Sequence, residues 1–365
     1  MLKYYCVLFQ SKVHGGVRMF NLLGLTKQKF LEAYWRKKPL VIRGGASLFI
    51  DKKITKEQFL NYAHKMQHTH NGSTNFAGED VIFCEDISSV DNDLKQKAKE
   101  NGINLGVWHE CWFDGSFSKQ FHGIGRHFDD SDNFVIQQEG SRLWMLGSPN
   151  LLTKEERKSR IKHETGAGVC ENFENEGAFV ILEPGDVLYL PIFYPHWGIS
   201  IEDSVSITFA VQSINPMYTL FPLIREILSD EPDWWIPVPA HANEVLSTDY
   251  ISKLQSALNN PELLTKIVSL WYERTKEANL CVNEQSIIPN ILSYQPMDFF
   301  DINWEPNKGI DEFSIQNYQK KYSGLLLSPD TIKDILKNAK EQNLNEFCDL
   351  IKAYINKEEG KFVEK

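Results

Sequence analysis

The stretch HFDDSDNFVIQQEGSRLW, which runs from His127 to Trp144, reads as two β-strands joined by a glycine-containing turn. Residues i and i+2 of a strand point to the same side, so His127 and Asp129 should share one face. Asn133 lies on that face as well, and Arg142 follows the turn on the neighbouring strand of the expected hairpin. The stretch therefore predicts a cluster of polar side chains around one strand face.

The composition of the chain indicates a globular protein. With 365 residues, it is long enough for one large domain and a second, smaller one. Aromatic residues make up 12% of it, which favours a well-filled core over disorder. The net charge of −10 argues against a nucleic-acid binder, and no run of about 18 apolar residues predicts a membrane span. The six cysteines include no CxxC pair, as is typical of reduced thiols, so we expect a cytoplasmic protein.

Three segments of the chain differ in their patterning. Residues 1–18 look detached from the rest of the chain, and they are either an extension or the result of a wrongly assigned start codon. Residues 19–216 begin with helical patterns and change, from about residue 105, to short strands punctuated by Gly, Pro, Asn and Asp. Residues 217–365 carry apolar stripes of helical period. We therefore expect a β-rich core with helices before it and a mostly helical region after it.

The N-terminal elements are divided by recognisable start and stop signals. The expected elements are helices over 26–38, 55–66 and 92–102 and a buried strand over 40–43. Thr55 and Gln58 form a possible capping box for the second helix. The third helix is expected to be solvated and to close at Gly102.

The stretch SVSITFAVQS, which begins at Ser204, alternates strictly and predicts a strand with two unlike faces. One face is apolar. On the other face, the first four side chains are small or hydroxylic, namely Ser204, Ser206, Thr208 and Ala210. A period-2 strand normally pairs a buried apolar face with a solvated one, so this small polar face indicates the lining of a cavity.

A second histidine, His196 in YPHWG, follows another predicted strand and could complete a metal site with His127 and Asp129. Two imidazoles and one carboxylate form the facial triad of non-haem Fe(II) oxygenases, which leaves positions open for a co-substrate and O₂. The HxD spacing alone also occurs by chance in strands. Two other settings are poorer candidates: His64, His68 and His70 enter a polar loop without supporting carboxylates, and His109 and His122 are isolated.

Arg142 strengthens the metal-site hypothesis, because hairpin geometry would let it reach the cavity of Asp129. An arginine matches a carboxylate with two parallel hydrogen bonds and keeps its charge, so Arg142 could hold the far carboxylate of 2-oxoglutarate. The alternative is an ordinary surface arginine on a strand. The amide of Asn133 could donate to the carboxylate nearest the metal, and Ser206 and Thr208 could complete a polar wall.

These residues together resemble the cupin-fold, JmjC-type 2-oxoglutarate oxygenases. The signatures that carry the resemblance are HFDDSDNF, Arg142 in GSRLW, and PGDVLYLPIFYPHWG, and the entry WRKKPLVIRGG is similar as well. The pattern resembles in particular the asparaginyl hydroxylase that acts on hypoxia-inducible factor and the bacterial ribosomal oxygenases of the cupin 4 type. The resemblance covers roughly residues 19–215.

The resemblance implies a fold and a set of site residues. The fold would be a mainly β, double-stranded β-helix (a jelly-roll), which makes residues 19–216 the catalytic domain. His127, Asp129 and His196 would be the iron ligands, and Arg142 would hold the distal carboxylate of 2-oxoglutarate.

The match to the family is incomplete at one position. Asn133 corresponds to the asparagine that follows the HxD motif in the asparaginyl hydroxylase. That enzyme also has a threonine three residues before its first ligand, where this chain has Ile124. Thr208 or Ser206 could supply the missing hydroxyl from another strand.

The activity that the resemblance implies is hydroxylation with Fe(II), 2-oxoglutarate and O₂, in which 2-oxoglutarate becomes succinate and CO₂. The substrate would be a protein or peptide side chain, with asparagine as one candidate; a free amino acid or natural product is the alternative. A non-catalytic, peptide-binding cupin barrel and a different metal-dependent cupin enzyme also stay open, although neither needs Arg142. Helical stripes at 218–229 and 261–278 could form a homodimer face or pack against the barrel.

The surroundings of His196 suggest what kind of reaction to expect. Phe193, Tyr194 and Trp197 lie beside it in the sequence and should wall the mouth of the site. Acidic residues of the kind that accompany a methyl-ammonium cage are not apparent there. We therefore expect stable hydroxylation of a carbon atom, not N-demethylation.

Overall fold

The computed structural model describes residues 24–67, 73–76, 80–105, 111–120, 122–161, 177–212 and 309–315, with isolated positions between 225 and 269. Within these ranges the α-helices are α1 (Lys27–Ala33), α2 (Ala46–Phe49), α3 (Lys56–Gln67), α4 (Asn92–Leu105) and α5 (Lys154–Ile161). The strands are β1 (Leu40–Arg43), β2 (Ser73–Phe76), β3 (Val81–Glu85), β4 (Cys111–Ser118), β5 (Ser131–Glu139), β6 (Arg142–Leu146), β7 (Ala178–Leu182), β8 (Val187–Leu190), β9 (His196–Ser200), β10 (Ser204–Gln212) and β11 (Asp311–Ser314). None of the helices in these ranges has the length and apolar character needed to cross a membrane.

The strands form two sheets. The larger has eight strands in the order β11-β1-β8-β5-β10-β4-β3-β2, and the smaller has three in the order β7-β6-β9. Neighbouring strands run antiparallel except for β1 and β11, which are parallel. Most neighbours in space are not neighbours in sequence, because the chain crosses repeatedly between two facing sheets, as jelly-rolls do. The expected mainly β, double-stranded β-helix is confirmed.

The hairpin expected over residues 127–144 is wrong, because β5 and β6 belong to different sheets. β5 pairs with β10 and β8, whereas β6 pairs with β7 and β9. The chain changes sheet at Gly140, which has φ of 62° and whose missing Cβ would lie 2.1 Å from the carbonyl oxygen of Asp203. Only glycine fits both demands. Arg142 therefore belongs to the small sheet, and its side chain reaches across the interior to the large sheet that contains β5.

The two faces of the large sheet pack against different layers. One face meets the helices in a core that includes Phe30, Phe49, Phe59, Phe134 and Phe209. The other meets the small sheet through a cluster that includes Val135, Trp144, Leu146, Val180 and Leu188. Strand β10 separates these environments: its Val, Ile and Phe side chains join the helix-side core, while Ser204 and Ser206 are buried between the sheets. The space between the sheets is where the predicted polar cavity lies.

The N-terminal helices begin close to where the sequence predicts, but α1 and α4 do not end where it predicts. The capping box of α3 is confirmed, since the Thr55 N–H donates to Gln58 Oε1 (2.9 Å) and the Gln58 N–H donates to Thr55 Oγ1 (3.3 Å). Helix α1 ends at Ala33, short of the expected 38, and Arg36 then takes a left-handed φ of 55° so that its N–H donates to the Tyr189 hydroxyl.

Helix α4 continues to Leu105, past the stop expected at Gly102. It is also less solvated than expected, because Leu94, Ala98 and Asn101 are buried. The Asn101 amide donates to the Phe49 carbonyl (2.8 Å), which ties this part of the helix to α2. Contacts with the rest of the fold therefore outweigh the helix-ending tendency of glycine.

In the described part of the C-terminal region the structure has a strand, β11, which the helical patterns of the sequence did not predict. β11 lies parallel to β1 at the edge of the large sheet. Arg43 fixes it there, with its guanidinium 2.6 Å from Asp186 and 2.6 Å from Glu312. Residues 1–18 and nearly all of the stripes at 218–229 and 261–278, with their possible homodimer face, lie outside the described residues.

Candidate active site

The structure brings together His127, Asp129 and His196, the three residues that the sequence proposed as metal ligands. His127 and His196 form an antiparallel β-bridge, with N–H···O distances of 3.0 and 2.8 Å, and their ring centroids lie 4.2 Å apart. His127 and Asp129 precede β5 rather than lying within it, so this bridge, and not a regular strand, positions the pair. One ligand atom from each residue lies within 4.8 Å of the others.

Backbone carbonyls set the tautomer of both histidines. His127 Nδ1 lies 2.9 Å from the Gly125 carbonyl, and His196 Nδ1 lies 2.8 Å from the Tyr194 carbonyl. A carbonyl oxygen only accepts, so each Nδ1 carries the hydrogen and donates it. Each Nε2 is therefore the unprotonated nitrogen, which can bind a metal, and this is the usual arrangement around metal-bound histidines.

Asp129 is held from two directions. The Asn133 amide donates to its Oδ2 (2.7 Å), which also faces His196 Nε2 at 3.6 Å. The Phe193 N–H donates to the Asp129 carbonyl (2.8 Å), and Phe193 adopts a φ of 63°. That left-handed conformation costs a non-glycine residue about 1–2 kcal/mol. The hydrogen bond that joins the loop before His196 to Asp129 is therefore made by a residue with a strained backbone, Phe193.

The donor set fits a divalent iron ion. Two neutral imidazole nitrogens and one carboxylate on one side leave the opposite side open, which is the facial triad of non-haem Fe(II) enzymes. It is the one His, Cys, Asp or Glu group of this kind in the part of the chain that the structure describes. The group is half-buried, with His196 only 3% exposed.

Arg142 lies between the sheets and is surrounded by serines. Its Nη1 donates to Ser116 (3.2 Å) and Ser206 (3.0 Å), and its Nη2 donates to Ser118 (2.7 Å). The side chain is fully buried, and in the described ranges no carboxylate forms an ion pair with it. Burial lowers the pKa of Arg142 to about 10. An unbalanced buried guanidinium is costly, so this position calls for an anionic ligand.

The separation between Arg142 and the metal ligands is one that a dicarboxylate such as 2-oxoglutarate could bridge. In the small sheet, Arg142 pairs with Ser200, and Leu146, four residues later, pairs with His196. In the large sheet, Ser206, which contacts Arg142, pairs with Gln137. Ala210, four residues later, pairs with Asn133, which contacts Asp129. Four residues of strand span about 13 Å, which the arginine side chain and a five-carbon dicarboxylate together can bridge. Two buried donors along this path, Arg142 Nε and Trp144 Nε1, have no hydrogen-bond partner among the described residues.

The sequence-derived list of co-substrate residues is only partly matched by contacts. Ser206 contacts Arg142 directly, and Asn133 contacts Asp129. Thr208 is half-buried on the same face as Ser206, and Ile124 is 42% exposed. Which of these residues bind the co-substrate stays a prediction.

Sequence reasoning missed Ser116, Ser118 and Trp144. A signal for the serines was present, because DGSFS in β4 repeats the small polar alternation that was recognised in β10. In the sheet β4 lies directly beside β10, with Ser116 opposite Ser206. Trp144 gave no such signal. Its position is evident only from its ring lying 5.5 Å from the Arg142 guanidinium and 5.8 Å from the His196 ring.

The aromatic wall expected around His196 is smaller than the sequence indicated. Tyr194 is buried, and its hydroxyl donates to the Lys37 carbonyl, so it belongs to the core. Phe193 and Trp197 are half-exposed. Among the other histidines, exposed His122 bonds to the Gln120 carbonyl, whereas His68, His70 and His109 lie outside the described residues.

Asp114 is a further ionisable residue on the inner face of β4. It lies opposite Thr208, one step along the sheet from the Ser116–Ser206 pair. Its Oδ1 accepts from the Asp86 N–H (2.8 Å) and from Trp112 Nε1 (2.7 Å). Burial, with added repulsion from Glu85 and Asp129, outweighs these bonds and raises the pKa of Asp114 to about 8.

Replacing Asp114 by Asn should stabilise the metal-free protein by an amount that grows with pH. The folded-state pKa lies above the unfolded one, so unfolding releases a proton between roughly pH 4 and 8, and wild-type stability falls across that window by at most about 1.4 kcal/mol per pH unit. Asparagine keeps the acceptor for both N–H donors and does not titrate. Melting temperatures of the two proteins should diverge from about pH 5 to 8 and then run parallel. A constant gap would contradict the raised pKa.

The part of the chain that contains this site is similar to a known domain family. Residues 113–219 match the JmjC domain family, a range that includes the metal group, Arg142 and Asp114. The chain is 24% identical to a probable ribosomal oxygenase of Haemophilus influenzae, over 57% of this chain and 55% of the relative. It is 25% identical to the ribosomal protein uL16 3-hydroxylase of Escherichia coli, over 76% of this chain and 78% of that one.

Among solved structures, the X-ray structure of E. coli ycfD superposes with a TM-score of 0.49 at 23% identity, over 68% of this chain and 71% of that one. The chain spans little more than half the length of the Haemophilus relative.

Proposed function

We propose, from the premise that this chain carries a JmjC domain, that it is an Fe(II)- and 2-oxoglutarate-dependent oxygenase that hydroxylates a side chain of a protein. The observation that carries the proposal is Arg142, a buried arginine with no carboxylate partner among the described residues. It shares the inter-sheet space with His127, Asp129 and His196. A barrel that only bound a peptide would need neither a metal group nor an unbalanced guanidinium, and a cupin enzyme without a dicarboxylate co-substrate would not need Arg142.

The residues of the chain divide the work by position. Bound iron and 2-oxoglutarate supply the chemistry, which couples conversion of 2-oxoglutarate to succinate and CO₂ with insertion of one oxygen atom of O₂ into a C–H bond. His127, Asp129 and His196 hold the metal from one side and leave the other side open. Arg142 binds the far carboxylate in a dry pocket, where its charge is poorly screened and therefore effective. Asn133 orients the Asp129 carboxylate.

The substrate that we propose is a ribosomal protein. The named relatives are a probable ribosomal oxygenase and a hydroxylase of ribosomal protein uL16. The net charge of −10 also suits a basic partner, and ribosomal proteins fit the cytoplasmic location that the sequence suggests. Asparagine as the target residue has support only from the HFDDSDNF motif. A free amino acid or natural product is the second candidate for the substrate.

Ribosomes from cells that lack this gene should gain one oxygen atom on a single protein when treated with the purified enzyme, Fe(II), ascorbate and 2-oxoglutarate. Intact-protein mass spectrometry detects the change, and fragmentation identifies the residue. A parallel reaction without 2-oxoglutarate should leave every mass unchanged. Succinate production without a modified ribosomal protein would contradict the proposal of a ribosomal substrate and would favour a small-molecule substrate.

The same reaction distinguishes hydroxylation from demethylation. Oxidation of a methyl-ammonium group would release formaldehyde, which can be trapped, and would leave no oxygen on the protein. We expect a stable oxygen adduct and no formaldehyde. Formaldehyde released in proportion to succinate would show that the enzyme is a demethylase and not a hydroxylase. The assignment of the metal ligands would be unaffected.

A further inference from the structure

Arg36 and Asp132 form a buried ion pair behind the metal group, on the side of the large sheet that faces the helices. Arg36 Nε lies 2.7 Å from Asp132 Oδ2, and the two side chains are 16% and 0% exposed. The Tyr189 hydroxyl donates to the other oxygen, Asp132 Oδ1 (2.9 Å). Asp132 is the second residue of β5, so its side chain points away from the face on which Asn133 holds Asp129. The pair therefore lies outside the metal group but next to the backbone that carries one of its ligands.

The turn that contains Arg36 also contacts the segment that leads to His196. The Arg36 N–H donates to the Tyr189 hydroxyl (2.8 Å), in the strand before that segment. The Tyr194 hydroxyl donates to the carbonyl of Lys37. The Tyr194 carbonyl in turn accepts the Nδ1–H bond that sets the tautomer of His196 (2.8 Å). One turn of the chain thus anchors residues next to both parts of the metal group.

Arg36 adopts a strained backbone to make these contacts. Its φ of 55° lies in the left-handed region, which is unfavourable for residues other than glycine. Phe193, whose N–H donates to the Asp129 carbonyl, has a similar φ of 63°. In the described ranges only one other non-glycine residue, Asp86, has a positive φ. Such conformations persist only where the surrounding structure imposes them, and they are concentrated at functional sites.

We propose that Arg36 and Asp132 are positioning residues that hold the metal ligands in their binding arrangement in the metal-free protein. This inference rests on the metal group of the proposed function and not on the choice of substrate. Asp132 fixes the start of β5 and, through it, the carboxylate of Asp129. The turn at Arg36 fixes Tyr194, whose carbonyl aims His196. A site whose ligands are already aligned binds more tightly than one that must order them on binding.

The affinity of the metal-free protein for Mn(II) tests this role without turnover, and the EPR signal of free Mn(II) gives the dissociation constant. Arg36→Met should bind Mn(II) at least about 10-fold more weakly than wild type, as is typical when groups that support metal ligands are removed. Loss of a positive charge would by itself favour a bound cation, so weaker binding cannot be an effect of charge. Arg36→Lys keeps a cation for the single contact with Asp132 and should bind Mn(II) more tightly than Arg36→Met.

Arg43→Met is the matched control. Arg43 forms a buried ion pair of similar length with Asp186 (2.6 Å), but this pair lies at the end of the barrel that contains Arg142. The variant should lose stability and keep wild-type Mn(II) affinity, and melting curves ensure that binding is measured on folded protein. Should Arg36→Met fail to fold, the double variant Arg36→Met/Asp132→Leu replaces the pair by apolar side chains, which is often neutral for stability, and should show the same weaker binding.

An Arg36→Met protein that binds Mn(II) as tightly as wild type, or more tightly, overturns the inference. An equal loss of affinity in Arg43→Met overturns it as well, because the effect would then follow from reduced stability alone. Failure of the proposed function is a separate result. It appears in the wild-type protein as an absence of oxygen transfer in the ribosome experiment, and it leaves the order of the Mn(II) affinities unchanged.

Discussion

Replacing His196 by Ala is expected to lower the turnover of 2-oxoglutarate at least about 100-fold. The side chain provides one of three groups that converge within 4.8 Å, and its Nδ1–H bond to the Tyr194 carbonyl already aims Nε2 at the metal position. Even residues that only support a metal ligand typically change affinity or activity about 10- to 100-fold, so loss of a ligand should cost at least the upper end. Succinate formation with saturating Fe(II) measures the effect.

The matched control is His122→Ala. This histidine is exposed, bonds to the Gln120 carbonyl and contributes nothing to the metal group. It should keep wild-type turnover and Mn(II) affinity, whereas His196→Ala should lose both. A melting curve separates loss of metal from loss of fold, because His196 is also buried against Trp144. Wild-type turnover in a folded His196→Ala protein would show that the metal lies elsewhere.

Replacing Arg142 by Met is expected to raise the KM for 2-oxoglutarate about 30- to 1000-fold without reducing stability. A bidentate, charge-assisted contact in a dry pocket is worth about 2–4 kcal/mol. Methionine has a similar length and removes a buried charge that has no carboxylate partner in the described ranges. Replacing such a charge by an apolar side chain is often neutral or stabilising. Initial rates over a range of 2-oxoglutarate concentrations and a thermal melt measure the two effects.

Arg43→Met provides the opposite pattern, because Arg43 is also buried but is paired with Asp186 and Glu312. Its removal leaves two carboxylates without their partner and should cost about 3–5 kcal/mol of stability, with little change in the KM for 2-oxoglutarate. An Arg142→Met protein that binds 2-oxoglutarate as well as wild type would show that the far carboxylate of 2-oxoglutarate binds elsewhere. One that is strongly destabilised would mean that Arg142 serves the fold instead.

Local patterns in the sequence were sufficient for several features. The two faces of β10 follow from a period of two, because neighbouring side chains of any strand must point to opposite sides. The same rule applied to β4 would have found the serines around Arg142. The capping box at Thr55 and Gln58 also needs only contacts between residues three apart.

The helix ends at Ala33 and Leu105 required more than local signals. Arg36 leaves the helical conformation where its N–H bonds to Tyr189, and its side chain forms an ion pair with Asp132 at 2.7 Å. Both partners lie about a hundred residues or more away in the chain. A glycine that would end a solvated helix is tolerated in α4 because its neighbour Asn101 is anchored on the adjacent helix.

The sequence by itself determined which chemical groups are available, namely the His-x-Asp pair, a later histidine and an arginine after a glycine turn. Only the tertiary structure decided how they meet, because strand pairing is a long-range choice that local periodicity does not encode. The turn at Gly140 could equally have closed a hairpin, yet it passes Arg142 to the facing sheet. The sequence also does not tell Arg142 from Arg43, or show that burial raises the pKa of Asp114 to about 8. The free energy of a buried charge depends on what surrounds it, and those surroundings exist only once both sheets are assembled.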